Sequence, residues 1–157
     1  MNDLLERSRE ESHFWEDVCN SLKAGAKIVP KVWGLESHIV NNEKFCLKYL
    51  IFWKGGRLSQ HMHKIKEELF LCMQGKLGLT LIIDGKETKR IIKPGQTILL
   101  KPGQYHSLEA FKNSIIVEVS TTDRPEDSYR LDSSSYNPNN DDNIKNYEPD
   151  SIFDLPC

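Results

Sequence analysis

Apolar positions near the start of the chain recur every three or four residues: Phe14, Trp15, Val18, Cys19 and Leu22, with acids and bases between them. That spacing predicts one amphipathic helix over residues 3–24, closed by Gly25. Its apolar stripe must bury against its own domain or a partner subunit, and covering its own domain is the simpler expectation. From residue 28 the rhythm changes to short β-like runs, each ended by turn residues. KFCLKYLIFW ends at Gly55-Gly56, ELFLCMQ at Gly75, KLGLTLII at Asp84-Gly85, ETKRII at Pro94-Gly95 and TILL at Pro102-Gly103, while SIIVEVS precedes the tail. Asp84-Gly85 between two such runs predicts a tight hairpin with a type I′ turn. Many short strands at this spacing, with no βαβ alternation and no Gly-rich phosphate loop, predict an all-β sandwich or barrel.

Residues 132–157 are rich in Asn, Asp, Ser and Pro and predict an irregular C-terminal tail whose apolar end, Ile152, Phe153 and Leu155, could dock on the barrel or on another chain. The expected organisation is an N-terminal amphipathic helix in 1–27, a barrel in 28–131 and the tail in 132–157. A length of 157 residues suits one core. Lys plus Arg number 21 against 23 Asp plus Glu, a net charge of −2, and no basic run predicts a nucleic-acid groove. No apolar run approaches the roughly 18–20 residues of a membrane helix, and the charged N-terminus is unlike a signal peptide. Cys19, Cys46, Cys72 and Cys157 show no CxxC spacing, which argues against a zinc ribbon, and the apolar neighbourhood of Cys46 and Cys72 fits reduced core thiols in a cytoplasmic protein.

The segment that carries chemistry is GGRLSQHMHKIKEELFLCMQG, residues 55–75. His61 and His63 are two apart, so on a strand both imidazoles leave the same face and form a bidentate clamp for a metal. Glu68 follows after a basic loop, close enough to add a carboxylate oxygen. His106, just past the Pro102-Gly103 turn, is the candidate for a fourth ligand from a distant strand. On SIIVEVS, alternation sets Ile116, Glu118 and Ser120 on the face opposite to Ile115, Val117 and Val119. Glu118 is an acid in an otherwise apolar strand, directed either into the barrel or outward.

These residues resemble the cupin superfamily. Its first motif is a glycine, five residues, His-X-His, three or four residues, a glutamate, six residues and a glycine. Gly55, His61, His63, Glu68 and Gly75 match it throughout. The second motif is met in part: Gly95, Pro102, Gly103 and His106 are present, Pro102 stands one residue late beside Gly103, and Ala110 replaces the closing Asn. The resemblance implies a jelly-roll β-barrel holding one divalent ion, manganese, iron, zinc, nickel or cobalt, on His61, His63, Glu68 and His106.

A narrower resemblance is to sugar-isomerase cupins. Pro30, Trp33, Gly34, Lys48, Gly55 and Ser59 are similar to the entry of the cupin domain of type II mannose-6-phosphate isomerases, with His61 where that family has glutamine and Lys66 where it has arginine. Glu126, Asp127 and Arg130 are similar to its segment after the barrel, and D-lyxose isomerase shares the metal set. This implies an aldose–ketose isomerase acting on a sugar or sugar phosphate, with Glu118 and Lys66 as catalytic residues and Lys48, Tyr105 and Arg130 binding substrate. Trp33 and Trp53 are either a sugar-stacking wall or core. The alternatives are a metal-dependent oxygenase and a non-catalytic sugar-binding accessory module. A homodimer with a small-molecule substrate, and neither nucleic acid nor membrane, completes the expectation.

Overall fold

The computed structural model describes residues 26–148, together with Glu16 and Val18. Its strands are β1 (Lys27–Lys31), β2 (Gly34–Asn41), β3 (Cys46–Phe52), β4 (Gly56–Arg57), β5 (His61–Met62), β6 (Glu68–Gln74) and β7 (Leu77–Ile83). They continue as β8 (Lys86–Ile92), β9 (Thr97–Leu100), β10 (Tyr105–Ala110), β11 (Ser114–Ser120), β12 (Tyr129–Arg130) and β13 (Ser135–Tyr136). Short 3-10 helices span Pro125–Asp127 and Asp141–Asn146.

One sheet has the order β1-β2-β3-β11-β6-β9; the other runs β12-β5-β10-β4-β13, with β7 added to β10 and β8 to β7. Each strand pairing is antiparallel. The sheets face each other across a core that includes Trp33, Phe52, Phe70, Leu79, Leu108 and Ile116. Period-two alternation explains which residues meet there: Leu50 and Phe52 of β3 and Phe70 and Cys72 of β6 point in, while their neighbours point out. Trp33 stacks on Phe52 with centroids 4.4 Å apart, so it is core. Trp53 packs instead on the outer cluster of Ile51 and Ile115.

The expected hairpin is present. Asp84 and Gly85 both have positive φ, 51° and 76°, as a type I′ turn requires, and join β7 to β8. The Pro102-Gly103 turn matters more for the site. Gly103 (φ 84°) turns the chain so that its N–H donates to the His63 carbonyl at 2.7 Å. This bond ties the entry of β10, and so His106, to the loop that follows His61 and His63.

Of the helix expected over 3–24, Glu16 and Val18 are helical, and Val18 is buried against Ile51 and Ile115 on the outer face of the six-stranded sheet. The remainder lies outside the described residues, as do Ile152, Phe153 and Leu155. The tail up to residue 148 folds back over the barrel. The Asn140 and Asn143 amides and the Tyr147 hydroxyl all donate to the buried Glu109 carboxylate, at 2.9, 2.8 and 3.2 Å. Tyr147 also packs edge-on against Phe111. No helix among the described residues is long and apolar enough to cross a membrane.

Candidate metal centre

Three imidazoles converge between the sheets. β5 and β10 pair with His61 directly opposite His106, and the His61–His63 spacing brings the third ring to the same place. One ring nitrogen from each of the three lies within 4.8 Å of the other two. Glu68 opens β6 on the facing sheet, and alternation puts it on the inner face with Phe70 and Cys72. Its carboxylate oxygens lie 3.2 Å from His106 Nε2 and 3.5 Å from His63 Nε2. All four side chains are buried.

The hydrogen bonds behind the rings fix their chemistry. His61 Nδ1 is 2.8 Å from the Ser59 carbonyl, His106 Nδ1 is 3.0 Å from the Gln104 carbonyl, and His63 Nδ1 bonds the Asp127 carbonyl. A carbonyl oxygen can only accept, so each Nδ1 carries the proton and each Nε2 presents a lone pair inward. The Nε2 atoms of His63 and His106 are buried without a hydrogen-bond partner. Two orphaned lone pairs beside carboxylate oxygens repel one another unless a cation stands among them. This is the arrangement in which backbone carbonyls orient imidazole ligands of a metal, and the donor set fits a divalent ion. Burial pushes the His61 imidazolium down to about 3, so the ring stays neutral and able to ligate. For Glu68, burial favours the neutral acid, but the charge around it, with the Lys66 ammonium at 2.7 Å, outweighs it and holds the carboxyl well below the usual range.

A buried charge network adjoins the cluster. Lys66 Nζ reaches Glu68 at 2.7 Å, Glu118 at 2.8 Å and Asp123 at 2.9 Å. Lys48, cross-strand from Glu118, reaches Asp123 at 2.8 Å, Glu118 at 3.8 Å and Glu36 at 4.0 Å. Glu118 is only 3 % exposed and points inward with Ile116, which decides between its two possible directions. Burial and the Glu68 charge raise its carboxyl, opposed by Lys66 and Lys48, and the net direction is up. These groups line a cavity of about 320 Å³ that His61, His63 and Glu68 also line.

The sequence-predicted residues divide on inspection. His61, His63, Glu68, His106, Lys48, Lys66 and Glu118 come together. Arg130 borders the cavity and donates from its guanidinium to Ser59 Oγ. Tyr105 is not among the residues lining that cavity; with His106 turned inward, the next residue along the strand faces the other way. Lys66, expected as a catalytic residue, has all three of its donors on carboxylates, those of Glu68, Glu118 and Asp123. Sequence reasoning missed Asp123 and Glu36. Glu36 was within reach, since Glu36 and His38 alternate on one face of β2, and their side chains bond at 2.7 Å. Asp123 lies in a loop and gives no periodic signal. Asp127, expected from the resemblance only as an equivalent acid, is a clamp. Its carboxylate accepts the amides of Lys64, Ile65 and Lys66 at 2.8, 3.0 and 3.0 Å.

No family model matches the chain, and no curated protein sequence matches it. Solved structures do. One is oxalate decarboxylase from Bacillus subtilis at pH 4.6, with a TM-score of 0.60 and 16 % identity over 68 % of this chain and 30 % of that one. A second oxalate decarboxylase structure, concerned with an element that modulates proton-coupled electron transfer, matches with a TM-score of 0.59, 16 % identity and the same coverage. The fold is a cupin jelly roll. The chain spans less than a third of those proteins' length, and at this identity the likeness shows the fold alone. In this cupin barrel the three-histidine cluster sits between the two sheets.

Proposed function

We propose that the protein is a metal-dependent isomerase interconverting the aldose and ketose forms of a small sugar or sugar phosphate. The observation that carries this reading is a buried carboxylate, Glu118, in the wall of the cavity that His61, His63 and Glu68 also line. Such an interconversion needs one base that takes a proton from the hydroxyl-bearing carbon and returns it to the neighbouring carbonyl carbon. The hydroxyl proton passes between the two oxygens, and nothing else is consumed. A divalent ion on His61, His63, His106 and Glu68 supplies Lewis acidity toward the substrate oxygens when bound.

The chain's own groups do the remaining work. Lys66 orients Glu118 through the 2.8 Å bond and keeps it ionised enough to act. Lys48 bonds closely only to Asp123, which leaves it donors for a substrate oxygen. Trp33, Leu50 and Phe70 close the apolar side of the cavity. Lys27, Lys31, Arg124 and Arg130 line it as well and suit an anionic group on the substrate. The same reading puts the enzyme in the cytoplasm as a homodimer. Two buried free thiols, Cys46 and Cys72, support the cytoplasmic part, the second pushed up to about 12 by burial and so unreactive.

The test is elemental analysis of the purified protein with a screen of aldoses and their phosphates, followed by Glu118→Gln. The variant is expected to retain its metal and to lose roughly 10²–10⁴-fold in kcat. Full activity in that variant, or turnover that consumes dissolved oxygen, overturns the assignment, and oxygen consumption would favour the oxygenase reading instead.

A further inference from the structure

A second cleft, of about 410 Å³, lies on the far side of the seven-stranded sheet beneath the folded-back tail. It shares no lining residue with the cavity at the metal centre. Alternation puts Thr80 and Glu109 on this outer face, because Leu79 and Leu108 point into the core. A tail that served only to cover the sheet would fill this space with apolar side chains. The lining is polar instead, and its deepest members, Gln60, Thr80, Glu109 and Tyr147, are all buried.

Two facts define what would fit. Gln60 is 6 % exposed, and its Nε2 is buried with no hydrogen-bond partner; it requires an acceptor, which a metal ion or an ammonium group lacks. An anion is disfavoured as well. Arg57 is already bonded to Asp132 at 2.7 Å and Lys89 to Glu87 at 3.4 Å, while the Glu109 carboxylate is met by neutral amides and a phenol. Hydroxyl groups both donate and accept, and so satisfy the amide and the carboxylates together. We propose that this cleft binds a neutral polyhydroxylated small molecule, independently of the reaction at the metal centre.

The experiment is a titration of the isotopically labelled full chain with D-glucose, D-mannose or myo-inositol, following the Gln60 side-chain amide and the Thr80 backbone amide by NMR. A saturable shift at both is expected for at least one probe. Gln60→Leu should weaken it by about tenfold, as the loss of one hydrogen bond predicts. Asn146→Trp, which blocks the rim without touching the sheet, should abolish it. The shift should persist in His63→Ala, where the metal centre is broken. No saturable shift with any probe, or one indifferent to both cleft variants, overturns the proposal. Shifts confined to residues at the metal centre and lost in His63→Ala also overturn it, by assigning the sugar to the other cavity.

Discussion

Asp127 shows how much of the site depends on a residue that touches no substrate. Its backbone carbonyl fixes the His63 tautomer, and its carboxylate gathers three consecutive amides of the loop that carries Lys66. Burial favours the neutral acid, but those amides outweigh it and hold the carboxyl below its ordinary value. Asp127→Ala keeps the carbonyl and releases the loop. Metal affinity is expected to fall roughly 10–100-fold, as for other partners that orient ligands, read by competition with a chromophoric chelator. Unchanged affinity would show that His63 needs no support from the loop. At this scale the sequence was informative where chemistry has a fixed spacing, as at His61, His63 and Glu68. It was silent on Asp123, whose role exists only because the loop after β11 passes over Lys48 and Lys66.

Among elements, the tail is the one whose part in the fold exceeds its composition. Rich in Asn, Asp, Ser and Pro, residues 132–148 nonetheless dock through Tyr147, which occupies space left open by Gly78. A Cβ at Gly78 would stand 2.5 Å from Tyr147 Cε1. The ring cannot simply turn aside, since it packs with Ile91 and Phe111. Gly78→Ala is therefore expected to expel Tyr147 and cost about 1–3 kcal/mol, read as a lower urea midpoint. Metal content should be unchanged, because the sheet lies between Tyr147 and the histidines. Loss of metal in this variant would mean that the tail also shapes the centre. The neighbouring strands were legible because their alternation and turn chemistry are local; the docking of the tail was not, because it depends on one missing side chain more than sixty residues away.

For the whole molecule, the buried imidazoles and the charge network couple folding to protons and to metal. In the metal-free protein, His61 has its pKa lowered from 6.5 to about 3, so the unfolded chain takes up the proton first. Stability is complete above about 6.5 and declines as pH falls toward about 3. Asp123, lowered from 3.8 to about 2 by Lys66 and Lys48 against the effect of burial, extends the decline below 3.8. Its share is about 2 kcal/mol. Urea midpoints from pH 7 downward should fall through this window, and a flat profile would contradict the buried neutral imidazole. Saturation with a divalent ion at a hundredfold excess over Kd should add about 2.7 kcal/mol and raise Tm by roughly 5–10 °C, reversibly on chelation.

Strands, turns and the shared face of His61 and His63 were legible in the chain alone, because alternation, glycine torsions and motif spacing act over a few residues. It took the folded chain to show that Glu118 points inward, that Lys66 is fully engaged and that Tyr105 does not line the cavity beside the histidine cluster. Those outcomes depend on the pairing of β11 with β3 and β6 and on the choice of inner face, which bring together residues distant in the chain.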